Sequence, residues 1–132
     1  MKKKVLVIDD DLDYVEAVKT LLEAKGYEVN SAENGEDGIN MARKVNPDLI
    51  LLDVMMTDKT EGFKISREFK EDEKLRDIPI VIVSGIRKDM NIPFRFDPDE
   101  TWLPVKEVIE KPVKPDLLLE IVARYTMLNR DL

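Results

Sequence analysis

The sequence of 132 residues contains neither cysteine nor histidine, and these two absences exclude several classes of protein. Without cysteine, the chain forms no disulfide, offers no thiolate to zinc and has no cysteine nucleophile. Without histidine, it has no Ser-His-Asp triad, no imidazole general base and no histidine that carries a phosphoryl group. Any bound metal ion must meet oxygen ligands, which favours Mg²⁺, Mn²⁺ or Ca²⁺.

Long apolar runs and an excess of positive charge are also absent. The first apolar run, Val5 to Ile8, is too short for a signal peptide, and no stretch approaches the ~20 apolar residues of a membrane span. The 21 basic and 28 acidic residues give a net charge of −7, which disfavours direct contact with nucleic acid. We therefore expect a cytoplasmic protein without nucleic-acid or membrane partners.

Short apolar runs alternate with helical patterns along the chain. The runs Val5 to Ile8, Leu49 to Leu52 and Ile80 to Val83 are typical of strands that are buried on both faces. The residues around Val29 predict a weaker strand nearer an edge, and Val105 to Ile109 predict a fifth strand. This alternation predicts an α/β fold with a doubly wound parallel sheet.

Four segments have apolar residues at helical spacing. These residues are Val15, Val18, Leu21 and Leu22; Ile39, Ala42 and Val45; Phe63, Ile65 and Phe69; and Leu118, Ile121, Val122, Tyr125 and Leu128. Gly26 is placed to cap the first helix, Pro47 closes the second, and the last begins just after Pro115. The prolines between Ile86 and Pro104 argue against a regular helix there, so we expect an irregular fourth helical region.

Polar side chains stand at the ends of four predicted strands. Asp9 to Asp11 follow the first strand and Asp53 follows the third. Ser84 ends the fourth strand and Lys111 ends the fifth. Ligands of open α/β sheets bind beyond the carboxyl ends of the strands, so we expect these groups to converge at one edge of the sheet.

The expected group of carboxylates suits a divalent cation and a phosphoryl group. Clustered carboxylates repel one another, and Mg²⁺ relieves that repulsion and neutralises an incoming phosphoryl group. Lys111 is then expected to pair with a second phosphoryl oxygen, and the Ser84 hydroxyl to bond to a third. One carboxylate stays free to form an acyl phosphate, and Asp53, at the end of a central strand, is the best candidate.

Taken singly, each of these residues also has an ordinary structural explanation. Asp10 or Asp11 can cap the following helix, Asp53 can be a turn residue, and Ser84 can begin an ordinary turn. The placement of all of them at the same end of different strands favours a shared site.

Four segments of the chain resemble the receiver domain of two-component response regulators, the CheY-like superfamily. These segments are Val5 to Asp11, Ala32 to Gly35, Pro47 to Met56 and Glu110 to Pro112. The resemblance implies one receiver domain over residues 1–132, with a core at about 3–126 and no output domain. It also implies a flavodoxin-like, five-stranded sheet of order 2-1-3-4-5 with helices on both faces.

The resemblance further implies a phosphoacceptor and a metal site. Asp53 is the implied phosphoacceptor. Mg²⁺, or alternatively Mn²⁺, is implied to bind to Asp10, Asp53 and the backbone carbonyl of Met55, with Asp9 acting through water. Met55 and Ile86 are expected to flank the phosphoryl group and to obstruct hydrolytic water, which predicts slow autodephosphorylation. We therefore expect a signalling switch and not a turnover enzyme.

Ser84 and Lys111 match two further positions of the family. Ser84 takes the position of the switch hydroxyl, and Lys111 takes that of the phosphate-binding lysine, with a cis bond between Lys111 and Pro112. The implied phosphoryl donor is a sensor histidine kinase or a phosphotransfer protein. The implied downstream partner is a protein that the sequence does not identify.

Three features depart from the family pattern. The segment Met56 to Gly62 lacks the usual proline and is one residue longer, and the separation of Ser84 from Lys111 is several residues longer than usual. Val108 stands where many members have an aromatic residue that moves inward on phosphorylation. These departures predict that the chemistry is retained and that the readout is altered, with Ile86 to Pro104 as the movable segment.

Two other functions stay open. A haloacid-dehalogenase-type phosphohydrolase also places an aspartate nucleophile after a buried strand, and Asp9 to Asp13 superficially contains its Asp-x-Asp motif. A pseudo-receiver, in contrast, docks partners without taking phosphate. The residue that carries phosphate separates these functions: Asp53 in a receiver, Asp9 or Asp11 in the hydrolase, and none in the docking module.

Overall fold

The computed structural model describes residues 2–54, 59–84 and 105–127 of the chain. Its elements are β1 (Lys4–Ile8), α1 (Leu12–Glu23), β2 (Glu28–Ala32), α2 (Gly35–Val45), β3 (Leu49–Val54), α3 (Lys59–Glu71), β4 (Ile80–Ser84), β5 (Glu107–Glu110) and α4 (Pro115–Met127). The predicted alternation of strands and helices is confirmed over these ranges. The segment predicted to be irregular, Ile86 to Pro104, lies outside the described residues. Within these ranges, no helix has the length and apolar character that crossing a membrane requires.

The five strands form one parallel sheet in the order β2-β1-β3-β4-β5, as the resemblance implied. Val5 to Ile8 expose 2% of their surface or less, because β1 has a strand on each side and helices on each face. β2 lies at an edge, as its weaker apolar pattern predicted. The fifth strand begins at Glu107, so the prediction that it begins at Val105 was two residues too early.

Two apolar cores lie on opposite faces of the sheet, because successive side chains of a strand point in opposite directions. Leu6 packs under α2 and α3, where Phe69 is fully buried. Val7 packs under α1 and α4, where Ile121 is 1% exposed. Burial of one side chain of this size stabilises the fold by roughly 1.5–3 kcal/mol. These two cores hold the helix N-termini beside the carboxyl ends of the strands.

The predicted helix ends are found where the local signals placed them. Gly26 has a φ of 91°, a left-handed conformation that glycine adopts without strain. The N–H of Tyr27 donates to the Leu22 carbonyl at 3.1 Å, so the end of α1 has the hydrogen bond of a Schellman motif. Asn46 ends α2 with a φ of 51°, and Pro47 follows it.

Gly38 allows α2 to lie directly against β1. A Cβ atom at this position is 2.8 Å from Ile8 Cγ1 and clashes with Ile8 Cδ1, and Ile8 is only 2% exposed. We expect Gly38→Ala to lower the free energy of unfolding by up to ~2 kcal/mol. Overpacking costs ~1–3 kcal/mol and outweighs the ~1 kcal/mol that alanine gains in helix propensity. Urea denaturation measures this difference.

The control for Gly38→Ala is a double-mutant cycle with Ile8→Val, because valine lacks the Cδ1 atom that meets the new methyl group. The alanine substitution should cost less in the Ile8→Val background than in the wild type. Equal costs in the two backgrounds contradict the explanation.

Candidate functional site

Three carboxylates lie together at the carboxyl end of the sheet. Asp9 and Asp10 follow β1, and Asp53 lies in the neighbouring strand β3. One carboxylate oxygen from each of the three residues lies within 4.8 Å of the others. Asp53 is the residue before the last of β3 and lies opposite Val83, so the prediction that it directly follows the strand placed the end of β3 two residues too early. The predicted convergence of these side chains is nevertheless found.

Lys111 connects two of the carboxylates. Its Nζ lies 2.9 Å from Asp9 Oδ2 and 3.1 Å from Asp53 Oδ1. Lys111 follows β5, two strands away from β3, and neighbouring strands are spaced by about 4.8 Å. A long side chain is therefore needed to reach Asp53 from this position. The bond between Lys111 and Pro112 is cis, as the resemblance implied.

Burial and neighbouring charges shift the pKa values of this site. Burial raises the pKa of Asp53, the ion pair with Lys111 opposes this, and the charge of Asp9 raises the pKa further, so the net shift is upward. Burial acts to lower the pKa of Lys111, but hydrogen bonds to Asp9 and Asp53 outweigh it and the net shift is also upward. Lys111 therefore carries its positive charge at neutral pH.

The composition of the cluster fits a divalent cation. Among the described residues of the site, three carboxylates face one ammonium group, so their negative charge is in excess when all of them are ionised. Asp9 is almost completely buried, with 3% of its surface exposed, and Asp10 is exposed. Mg²⁺ in proteins binds to carboxylate oxygens and keeps several water ligands, which an exposed residue such as Asp10 allows. Asp9, Asp10 and Asp53 are the described residues that can hold such an ion.

The ordinary structural explanation applies to Asp11. It is the N-cap of α1, and its Oδ1 accepts the Tyr14 N–H at 3.2 Å. The N–H of Asp11 in turn donates to Asp9 Oδ1 at 2.8 Å. Both oxygens of Asp9 therefore have partners, Asp11 on one and Lys111 on the other. Asp10 points its carboxylate into the cluster and Asp11 caps the helix.

Ser84 lies at the edge of the sheet that carries the three carboxylates. Ser84 is the last residue of β4, with its backbone opposite Val54 and Glu110, so it lies at the same edge of the sheet as the carboxylates. Met55 lies outside the described residues, as does Ile86. Their predicted roles, and that of the Ser84 hydroxyl, stay predictions. Val108 is half-buried and packs against the core under α2 and α3.

Sequence reasoning missed Tyr14 as a member of the site. Its ring centroid lies 4.1 Å from Lys111 Nζ. Tyr14 is in the first turn of α1, and side chains of a helix lean toward its N-terminus. This places the ring near the strand ends. The sequence signal that could have identified Tyr14 is an aromatic residue in the first turn of the helix that follows the aspartates.

Comparison with known proteins identifies the family. The chain matches the response regulator receiver domain over residues 5–123. It belongs to this family, whose members are phosphoacceptors that bind Mg²⁺ in an acidic pocket and interact with histidine kinases or phosphotransfer proteins. This assignment favours the receiver over the haloacid-dehalogenase-type phosphohydrolase.

The chain resembles several particular proteins along nearly all of its length. It is 30% identical over 122 residues to protein PilH of Pseudomonas aeruginosa, covering 90% of this chain and 93% of PilH. It is 28% identical over 128 residues to the polar-differentiation response regulator DivK of Brucella anthropi, covering 95% and 97%. The signal receiver domain of a signal transduction histidine kinase from Syntrophus aciditrophicus superposes with a TM-score of 0.79 at 25% identity, covering 98% and 94%.

Proposed function

We propose that this chain accepts a phosphoryl group on Asp53 from a phosphohistidine donor and thereby switches its contacts with a partner protein. The observation that supports this proposal is the position of Lys111, whose Nζ lies 3.1 Å from Asp53 Oδ1 and 2.9 Å from Asp9 Oδ2. A positive charge at this position can neutralise a phosphoryl group on Asp53. The donor is a sensor histidine kinase or a phosphotransfer protein.

Asp53 is better placed than Asp9 to act as the nucleophile. Both oxygens of Asp9 accept hydrogen bonds, from the Asp11 N–H and from Lys111. Within the described ranges, the one ion-pair partner of Asp53 is Lys111, on Oδ1. We assign the attack on phosphorus to the second oxygen of Asp53, for which the described residues show no ion pair. Asp10 contributes a further carboxylate for the metal ion.

The proposed transfer forms an acyl phosphate. An oxygen of Asp53 forms a bond to phosphorus while the bond between phosphorus and the donor histidine nitrogen breaks, and the nitrogen keeps the electron pair. Lys111 stabilises the charge on the phosphoryl oxygens, and the Ser84 hydroxyl donates a hydrogen bond to one of them. Asp10, Asp53 and the Met55 carbonyl would hold Mg²⁺ or Mn²⁺, with Asp9 acting through water. The ion would supply further positive charge when bound.

Slow loss of the phosphoryl group is part of this proposal. Met55 and Ile86 are apolar residues that lie two positions after Asp53 and Ser84 in the sequence, and we propose that they limit the access of hydrolytic water. The switched partner surface is assigned to Ile86 to Pro104, which contains three aromatic residues. These two assignments come from the sequence.

The test is the intact mass of the protein after incubation with Mg²⁺ and acetyl phosphate. We expect the gain of one phosphate, and reduction of the acyl phosphate followed by peptide mapping should locate it at Asp53. Phosphate on Asp9 or Asp11 contradicts the proposal and indicates the hydrolase. No gain by a folded protein that binds Mg²⁺ also contradicts it and indicates a docking module.

A further inference from the structure

The ring of Tyr14 covers the ammonium group of Lys111. The ring centroid is 4.1 Å from Nζ, well within the ~6 Å at which a cation is attracted to an aromatic face. The same Nζ contacts Asp9 and Asp53. Three groups therefore surround one ammonium: two carboxylates and the face of one aromatic ring.

We propose that Tyr14 is a positioning residue that holds the Lys111 ammonium between Asp9 and Asp53, an inference that rests on the proposed function of the site. A lysine ammonium is a compact charge on a flexible four-carbon stem. Contacts with the two carboxylates do not by themselves exclude water from the rest of the ammonium. The ring covers part of it, and the Lys111 side chain is 22% exposed. Exclusion of water strengthens the attraction between Lys111 and the carboxylates.

The ring of Tyr14, and not its hydroxyl, carries this role. The hydroxyl is buried and has no hydrogen-bond partner in the described part of the chain. A buried hydroxyl without a partner makes no hydrogen bond that could hold Lys111 and costs free energy of desolvation. The Tyr14 side chain also packs against the apolar core under α1 and α4, and this contact restricts its movement. Removal of the hydroxyl alone should leave Lys111 in place.

A second tyrosine in the same core provides a matched control. Tyr27 is also half-buried against the core under α1 and α4, but its hydroxyl bonds to Thr126 Oγ1 at 3.3 Å, at the far end of α4. If Tyr14 only fills space in the core, the same truncation at Tyr27 should have the same consequences. If Tyr14 positions Lys111, only the Tyr14 variants should change the behaviour of Lys111.

The test combines a rate with a spectroscopic signature. The rate of phosphate incorporation at Asp53 is measured with acetyl phosphate at saturating Mg²⁺ for wild type, Tyr14→Phe, Tyr14→Leu and Tyr27→Leu. We expect Tyr14→Leu to be slower by about 3- to 10-fold, the range of one cation–π contact, and the other two variants to stay within about twofold of wild type. In parallel, NMR records the ε-methylene protons of Lys111, which the ring should shift upfield in wild type and Tyr14→Phe.

The outcomes separate this inference from the proposed function. An unshifted Lys111 resonance in the wild type overturns the inference, and so does a wild-type rate in Tyr14→Leu. An upfield shift that is kept in Tyr14→Phe and Tyr27→Leu shows the contact between the ring and Lys111, even if the wild type takes no phosphate. A slower rate in Tyr14→Leu, with wild-type rates in Tyr14→Phe and Tyr27→Leu, shows that this contact positions Lys111. Failure of the wild type to gain phosphate at Asp53 overturns the proposed function alone.

Discussion

Asparagine in place of Asp53 is expected to abolish phosphate incorporation. The amide has nearly the shape of the carboxylate but lacks its charge and is a poor nucleophile, so no acyl phosphate can form at position 53. The measurement is the intact mass of wild type and Asp53→Asn after the same incubation with Mg²⁺ and acetyl phosphate. The wild type should gain one phosphate and the variant none.

The matched control for Asp53→Asn is Asp13→Asn. Asp13 is an exposed acidic residue in the first turn of α1, close in sequence to the site but outside the group of three carboxylates. This variant should gain phosphate like the wild type. A gain that survives Asp53→Asn means that another aspartate is the acceptor.

The same Asp53→Asn variant should be more stable than the wild type at neutral pH in the absence of divalent cations. Burial and the charge of Asp9 raise the pKa of Asp53 above its ordinary value of 3.8, so the folded state binds the proton more tightly than the unfolded state does. Wild-type stability therefore falls as the pH rises from about 3.8 through the raised pKa. Urea denaturation in EDTA at several pH values should show that the advantage of asparagine disappears at acidic pH. An advantage that grows as the pH falls contradicts this explanation.

Methionine in place of Lys111 is expected to slow phosphorylation at least about 100-fold, the usual effect of removing one preorganised charge-stabilising group. The ammonium lies 3.1 Å from Asp53 Oδ1, where it can neutralise the phosphoryl oxygens, and methionine has similar length but no charge. Binding of Mg²⁺ should persist or become tighter, because the ammonium competes with the metal ion for Asp9 and Asp53. Phosphorylation is followed by intact mass and Mg²⁺ binding by isothermal titration calorimetry.

Lys114→Met is the control for Lys111→Met. Lys114 is exposed and follows only three residues later, so its replacement changes the net charge equally without touching the carboxylates. This variant should incorporate phosphate at the wild-type rate. A wild-type rate in Lys111→Met, or a loss of Mg²⁺ binding as large as the loss of phosphorylation, contradicts the assigned role of the lysine.

The sequence alone predicted the elements of the fold whose signals are local. The apolar runs of β1, β3 and β4 required strands covered on both faces, because their side chains point in both directions. Gly26 and Pro115 marked helix ends because glycine accepts a positive φ and proline has no N–H to donate within a helix. The weaker pattern of β5 did not mark its first residue, since Val105 is buried beside the strand without belonging to it.

The sequence also predicted that the carboxylates, Ser84 and Lys111 belong to one edge of the sheet, because parallel strands place their carboxyl ends together. It left open whether Asp10 or Asp11 caps α1. The structure assigns the cap to Asp11, whose Oδ1 accepts the Tyr14 N–H. The two residues are neighbours of the same type, and only the direction of the chain leaving β1 distinguishes them.

The contacts that give the site its character were decided by the tertiary structure. Lys111 contacts Asp9, which lies 102 residues away in the sequence, and the ring of Tyr14 covers the Lys111 ammonium. At position 38, Ile8 fills the space that a side chain larger than that of glycine would need. Residue type and periodicity are local properties, and they determined the strands, the helices and the edge at which the polar groups lie. Which side chains touch depends on strand order, register and side-chain reach, and these arise only when segments far apart in the sequence pack against each other.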